Sequence, residues 1–180
     1  MRLKETFDNG AGSQFEFWMW YARVMKNLGK LLISVIGCEL VGALATPFTI
    51  SSIDTWYKYL NKPSFSPPNW IFGPVWTLLY FLMGISLFLI WKRKQNKETK
   101  EAIKWFFIQL LLNFLWSLIF FGGHQITLAF LDIAVLLAAI YLTIKKFEKL
   151  NKIAGYLLLP YIFWVGFATI LNLSILLLNK

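Results

Sequence analysis

Few residues in this chain could do chemistry: one histidine, His124; one cysteine, Cys38; two carboxyls within apolar stretches, Glu39 and Asp132; and nine tryptophans. One histidine and one cysteine cannot build the usual zinc sets, so no metal centre is expected. No G-x-S-x-G or phosphate-loop pattern occurs, which removes the common hydrolase and phosphoryl-transfer designs. Axial ligation of haem by His124 is conceivable chemistry, but Gly122-Gly123-His124-Gln125 reads more simply as an exposed turn. Cys38 alone permits no intrachain disulfide. What remains is stacking. From Trp56 to Tyr80 the chain reads WYKYLNKPSFSPPNWIFGPVWTLLY, with three Trp, three Tyr, two Phe and four Pro in 25 residues. Rings this dense on a proline-stiffened loop make a rigid surface suited to something flat and apolar. Because proline fixes φ and removes donors, residues 62–74 are expected to be neither regular helix nor central strand.

The carboxyls pose a separate question. Glu39 is followed by Gly42, Ala43 and Thr46 at +3, +4 and +7, small residues that let two helix backbones approach closely. A carboxylate in mid-membrane costs roughly 2.5–3.5 kcal/mol unless paired, protonated or facing water. Glu39 and Asp132 therefore read either as proton-coupled or ligand-contacting groups, or as groups satisfied within a bundle. Partners for the second reading are Asn113, Asn172, Tyr80 or an indole N–H.

The elements that must position these residues are apolar helices. Hydrophobic residues make up 58% of the 180, charged ones only 15%, and mean hydropathy is +0.58, beyond the range of a soluble domain. Five spans can be marked: Leu31–Ile50, Gly73–Trp91, Trp105–Gly122, Ile126–Ile144 and Ile153–Leu178. Each is long enough to cross a hydrocarbon core needing about 20 helical residues. The fold class is thus an all-α integral membrane protein, a five-transmembrane-helix bundle. The third span sets Asn113, Trp116, Ser117 and Phe120 on one stripe, and the fifth does the same with Trp164, Phe167, Ala168 and Leu171. Spacing alone is equally consistent with helix packing.

The net charge of +9 does not indicate nucleic acid, because of its distribution. Fifteen of the 18 Lys and Arg lie before the first span, between the second and third, or between the fourth and fifth; only Lys58, Lys62 and Lys180 lie on the other side. The positive-inside rule then puts the N-terminus in the cytoplasm and the aromatic loop and C-terminus outside. The basic loops would also meet anionic membrane lipid. Residues 1–27 have no signal-peptide pattern. They read as an extension, either interfacial, given Phe15, Phe17, Trp18, Met19, Trp20 and Tyr21, or foreign to the domain at 28–180, with Met25 an alternative start.

The pattern W-Y-x-x-L-x-K-P-x-F-x-P-P-x-W-x-F-G-P-V-W resembles the tryptophan-rich sensory protein family, TspO and its translocator protein relatives. Gln109 to Gly122 and Pro160 to Asn172 are similar to that family's third and fifth helices. The resemblance implies a cavity among the helices, roofed by the first loop, that takes tetrapyrroles such as protoporphyrin IX or haem-like molecules, with no obligatory cofactor. Carried over, the ligand contacts would be Tyr57, Pro67, Trp76, Asn113, Trp116, Ser117, Phe120, Trp164, Phe167, Ala168 and Leu171. It implies three competing functions: a receptor or carrier in porphyrin homeostasis or stress sensing, a light-dependent porphyrin-degrading enzyme with Trp76 and Trp164 as the redox-active pair, or a lipid-interacting scaffold. Two departures stand out. Leu173 and Leu177 occupy the places where the animal sterol motif has Tyr and Arg. Residues 107–121 offer only Ser117 toward a small-xxx-small dimer contact, which leaves homodimerisation open.

Overall fold

The computed structural model describes residues 2–180, with side chains from residue 14 onward. The side chains of residues 1–13, including Arg2 and Lys4 of the expected extension, lie outside the described residues. The described residues are mostly helical, with no strand among them, and a helix satisfies its own backbone where lipid offers it no hydrogen bonds. The helices are α1 (Arg2–Ile53), α2 (Asn69–Trp91), α3 (Lys97–Ser117), α4 (Ile126–Leu150), the short α5 (Lys152–Tyr156) and α6 (Leu159–Leu178). Among the described residues, five helical stretches are long and apolar enough to cross a membrane, α5 and α6 together forming the fifth.

The 52-residue α1 passes position 28 without a break. At 1.5 Å per residue it is roughly 78 Å long, against about 30 Å of hydrocarbon. The rings of Phe15, Trp18 and Trp20 on its early part are more than half exposed. Within the bundle α1 packs on α2 at a glycine contact. A Cβ on Gly84 would lie 2.5 Å from Val35 Cα, so the two backbones meet with no room for a side chain.

Two boundaries differ from expectation, and proline explains both. The segment 62–74 was expected to exclude helix, yet α2 begins at Asn69, capped by Pro68, and carries Pro74 inside it. Pro74 lies in the second turn, where its missing N–H costs one bond, to the Trp70 carbonyl, and its fixed φ is already helical. The fifth span, read as one run, is broken at Leu157–Leu158. There Pro160 has no N–H to donate to the Tyr156 carbonyl, and Leu158 N bonds to the Gly155 carbonyl instead at 3.1 Å.

The short turn between α3 and α4 is present, but α3 ends in a π turn, Leu118–Gly122. Gly123 N then bonds to the Leu118 carbonyl at 2.7 Å, and Gln125 N to the Ile119 carbonyl at 3.0 Å. His124 follows at φ +55°, left-handed for a non-glycine residue. Its ring stacks on Trp56 at 4.3 Å. Its Nε2 is 3.3 Å from Ser52 Oγ, which donates to the Phe121 carbonyl at 2.5 Å.

At the opposite end, Lys30 Nζ donates to the Trp91 carbonyl at 3.2 Å, and Lys146 pairs with Glu101 at 2.6 Å. The aromatic loop and the C-terminus share the other end. Asn61 N donates to Asn179 Oδ1, and Asn179 Nδ2 returns a bond to the Asn61 carbonyl, both at 2.9 Å.

Candidate functional site

A cavity of about 550 Å³ lies among α1, α2, α3 and α6, beneath the aromatic loop. Its depth is set by a polar tie across the bundle. Tyr80 on α2 donates to Asn113 Oδ1 on α3 at 2.5 Å, and Asn113 Nδ2 donates to the Tyr161 hydroxyl on α6 at 3.1 Å. All three are at most 5% exposed. Groups from three helices therefore satisfy one another in a low-dielectric setting, where an unpaired one would be costly. Asn113, one of the expected ligand contacts, is in large part consumed by this structural tie.

Above it stands an aromatic wall. Trp116 and Phe120 stack at 5.2 Å with an 18° interplanar angle. Tyr57 approaches Phe120 and Phe121 edge-on at 6.1 and 5.7 Å. Burial lifts the Tyr57 hydroxyl above the ordinary tyrosine range, against an opposing hydrogen bond from the Ser66 side chain. It therefore stands as a neutral O–H. Trp76 sits 5.7 Å from Tyr80 and 6.3 Å from Tyr161.

The indole N–H groups differ in what they have left to offer. Trp116 Nε1 already donates to Asn172 Oδ1 at 3.1 Å, and Asn172 in turn donates to the Ile126 carbonyl at 3.2 Å. Trp164 Nε1 is buried and has no partner, yet Trp164 lines the cavity. That orphan donor is the site's clearest polar vacancy for a ligand acceptor. Glu39 lines the same cavity from α1 and forms no ion pair among the described residues. Asp132 is outside the lining, and one of its oxygens is buried without a partner.

Of the eleven residues expected to contact ligand, nine line the cavity: Tyr57, Trp76, Asn113, Trp116, Ser117, Phe120, Trp164, Ala168 and Leu171. Pro67 and Phe167 do not. Pro67 stands between the turn closed by Ser66 N on the Pro63 carbonyl and the Pro68 cap of α2. Phe167 lies about 60° around α6 from Trp164 at 3.6 residues per turn. There its ring supports the loop through Phe65, at 6.2 Å.

The sequence reading missed the α1 wall of Gly42, Thr46 and Ile50, the α2 entry of Asn69, Trp70 and Gly73, and Phe121. The small residues after Glu39 were the available signal for α1. Phe121 had none, because the extra residue in the π turn brings two successive rings inward where a 3.6-residue period allows one. Thr46, Ile50, Trp70, Gly73 and Thr77 are exposed as well as cavity-lining, so the cavity opens sideways between α1 and α2. His124 lies outside it, and no cluster of metal-binding side chains occurs among the described residues.

The sequence model of the TspO/MBR family matches residues 34–178. A tryptophan-rich protein TspO of Archaeoglobus fulgidus is 44% identical, over 85% of this chain and 99% of its own length. One from Chlorobaculum tepidum is 39% identical, over 86% and 98% respectively. The human translocator protein is 38% identical, over 65% of this chain and 70% of its own.

Proposed function

The chain belongs to the TspO/MBR family, an integral multi-pass membrane protein of five spans, and on that footing we propose that it is a receptor or carrier for a tetrapyrrole such as protoporphyrin IX. The observation that carries the reading is the combination of aromatic faces with a buried, unpartnered donor, Trp164 Nε1, on the wall of one apolar cavity. A flat conjugated macrocycle gains from stacking and burial, while one or two polar groups set its orientation. An acidic side group on such a ligand would accept from the Trp164 indole. The sideways opening suits a ligand that arrives dissolved in the membrane. The names of relatives, translocator and sensory protein, fit carriage or sensing of such a ligand.

A second reading, light-dependent degradation of the bound porphyrin, is favoured by one observation: Trp76 and Trp164 face the same cavity. Titration with protoporphyrin IX in the dark, followed by tryptophan fluorescence, should give saturable quenching. The same sample under illumination separates the readings. A carrier leaves the porphyrin spectrum intact, whereas an enzyme gives discrete product bands that depend on the two tryptophans. Absence of saturable quenching would leave only a scaffold role.

The proposed sidedness places the N-terminus in the cytoplasm and the aromatic loop and C-terminus outside, because the basic side chains gather at one end of the bundle. On a Cys38→Ser background, Ser64→Cys should react with an impermeant maleimide from outside intact cells. Gln95→Cys should react only after permeabilisation. The reverse pattern would invert the orientation.

A further inference from the structure

A second concavity, of about 630 Å³, runs along the outside of the bundle between α1 and α3, with Leu87 and Trp91 of α2 as its floor. It is separate from the ligand cavity, with which it shares no lining residue. Both walls start at the basic end and run the same way. On α1 the lining goes from Ile33 to Leu44, and on α3 from Ile103 to Phe114. Eleven residue steps at 1.5 Å are roughly 16 Å, about half of a ~30 Å hydrocarbon core. The groove is thus one leaflet deep.

Its mouth is marked by charge in matching register. Lys30 stands three residues before Ile33, and Lys100 three residues before Ile103. Each therefore continues its wall's stripe by one turn. Lys30 Nζ sits 5.5 Å over the Trp91 ring and donates once, to the Trp91 carbonyl. Two of its three protons remain. Deeper by one turn, Ser34 lines the groove; it is 2% exposed, and its hydroxyl has no hydrogen-bond partner. Two cations, then an unsatisfied hydroxyl one 5.4 Å turn below them, then apolar walls of one-leaflet depth follow the order of groups along a phospholipid: phosphate, ester carbonyl, acyl chain.

We propose that this groove is a binding site for one anionic phospholipid, its phosphate held by Lys30 and Lys100, an ester carbonyl by Ser34, and an acyl chain between α1 and α3. A second copy of the chain fits the surface less well. The α3 wall is built of bulky Phe107, Leu111 and Phe114, so it offers no close helix approach, and an apolar partner helix would leave the lysines and Ser34 unanswered.

The test is native mass spectrometry of the detergent-purified protein titrated with dioleoylphosphatidylglycerol or dioleoylphosphatidylcholine. One phosphatidylglycerol should be retained per chain, and phosphatidylcholine far less. Lys30→Gln with Lys100→Gln should weaken retention roughly thirtyfold, about fivefold per basic group. Gly37→Leu should abolish retention by filling the groove. A Cβ there meets nothing within 4 Å, so no backbone need shift to admit it, and thermal unfolding of the variant should match wild type. Lys149→Gln with Lys152→Gln removes equal charge elsewhere at the basic end and should change nothing. Equal loss in that control, or full retention in Gly37→Leu, would reduce the effect to surface electrostatics and overturn the site. A dimer mass that Gly37→Leu dissolves, with lipid retention unaltered, would assign the groove to a second copy instead.

Discussion

Trp164→Ala is expected to lower protoporphyrin IX affinity thirtyfold or more, and Trp164→Phe about fivefold. The alanine variant loses both a stacking face and its buried area, roughly 2–3 kcal/mol for a large apolar side chain. The phenylalanine variant keeps a ring and loses only the donor, about 1 kcal/mol for one hydrogen bond. The contrast with Trp116 makes the test specific. The Trp116 N–H is already spent on Asn172, which is 2% exposed. Trp116→Phe therefore leaves a buried acceptor unpaired and should cost about 1–3 kcal/mol of stability. Trp164→Phe removes a donor that has no partner in the free protein, so its stability should hold while affinity falls. Fluorescence titration paired with thermal unfolding reads both quantities. If Trp164→Phe binds like wild type while Trp116→Phe loses affinity at unchanged stability, the free donor has been assigned to the wrong indole.

Gly84→Val is expected to disrupt the bundle outright. A Cβ at this position meets backbone on α1, 2.5 Å from Val35 Cα and 3.0 Å from the Ser34 carbonyl oxygen. Backbone cannot rotate aside as a side-chain tip can, so α1 must move bodily from α2. Overpacking of a close-packed interior costs about 1–3 kcal/mol when side chains can yield, and more when they cannot. Gly84→Ala should already lower the melting temperature in micelles, and Gly84→Val should prevent accumulation of folded protein. Gly166 is the control. A Cβ there meets nothing within 4 Å, and Gly166→Ala should be neutral or gain up to about 1 kcal/mol of helix propensity. A Gly84→Ala protein as stable as wild type would mean that α1 and α2 are not held at this contact.

Much of this was legible in the residues, for reasons that are physical. Hydropathy over windows of about 20 residues reports the bilayer directly, because only a self-satisfied backbone survives in lipid. Five spans were therefore readable without any tertiary information. The stripes Asn113–Trp116–Ser117–Phe120 and Trp164–Phe167–Ala168–Leu171 followed from the helical period alone. What the period could not say was whether they faced a cavity or a packed neighbour. Residues of both stripes line the same cavity.

Other features depended on contacts between distant segments. Residues up to Pro74 were expected to exclude helix, and the fifth span was read as one run through Pro160, yet whether a proline ends, enters or breaks a helix depends on which carbonyl loses its donor. The π turn at Leu118–Gly122 has no signature in composition, and it alone brings Phe121 into the cavity beside Phe120. Identical side chains also acquired different roles. Trp116 and Trp164 are both tryptophans on cavity-facing stripes, yet one indole is committed to Asn172, 56 residues away in the chain, and the other is free. Glu39 read as ambiguous and proved to line the cavity, while Asp132 did not. The sequence by itself thus determined the medium, the number of spans and the faces that carry rings. Tertiary structure decided which polar groups are already satisfied and which remain for a ligand, because hydrogen-bond satisfaction is settled between segments that share no local pattern.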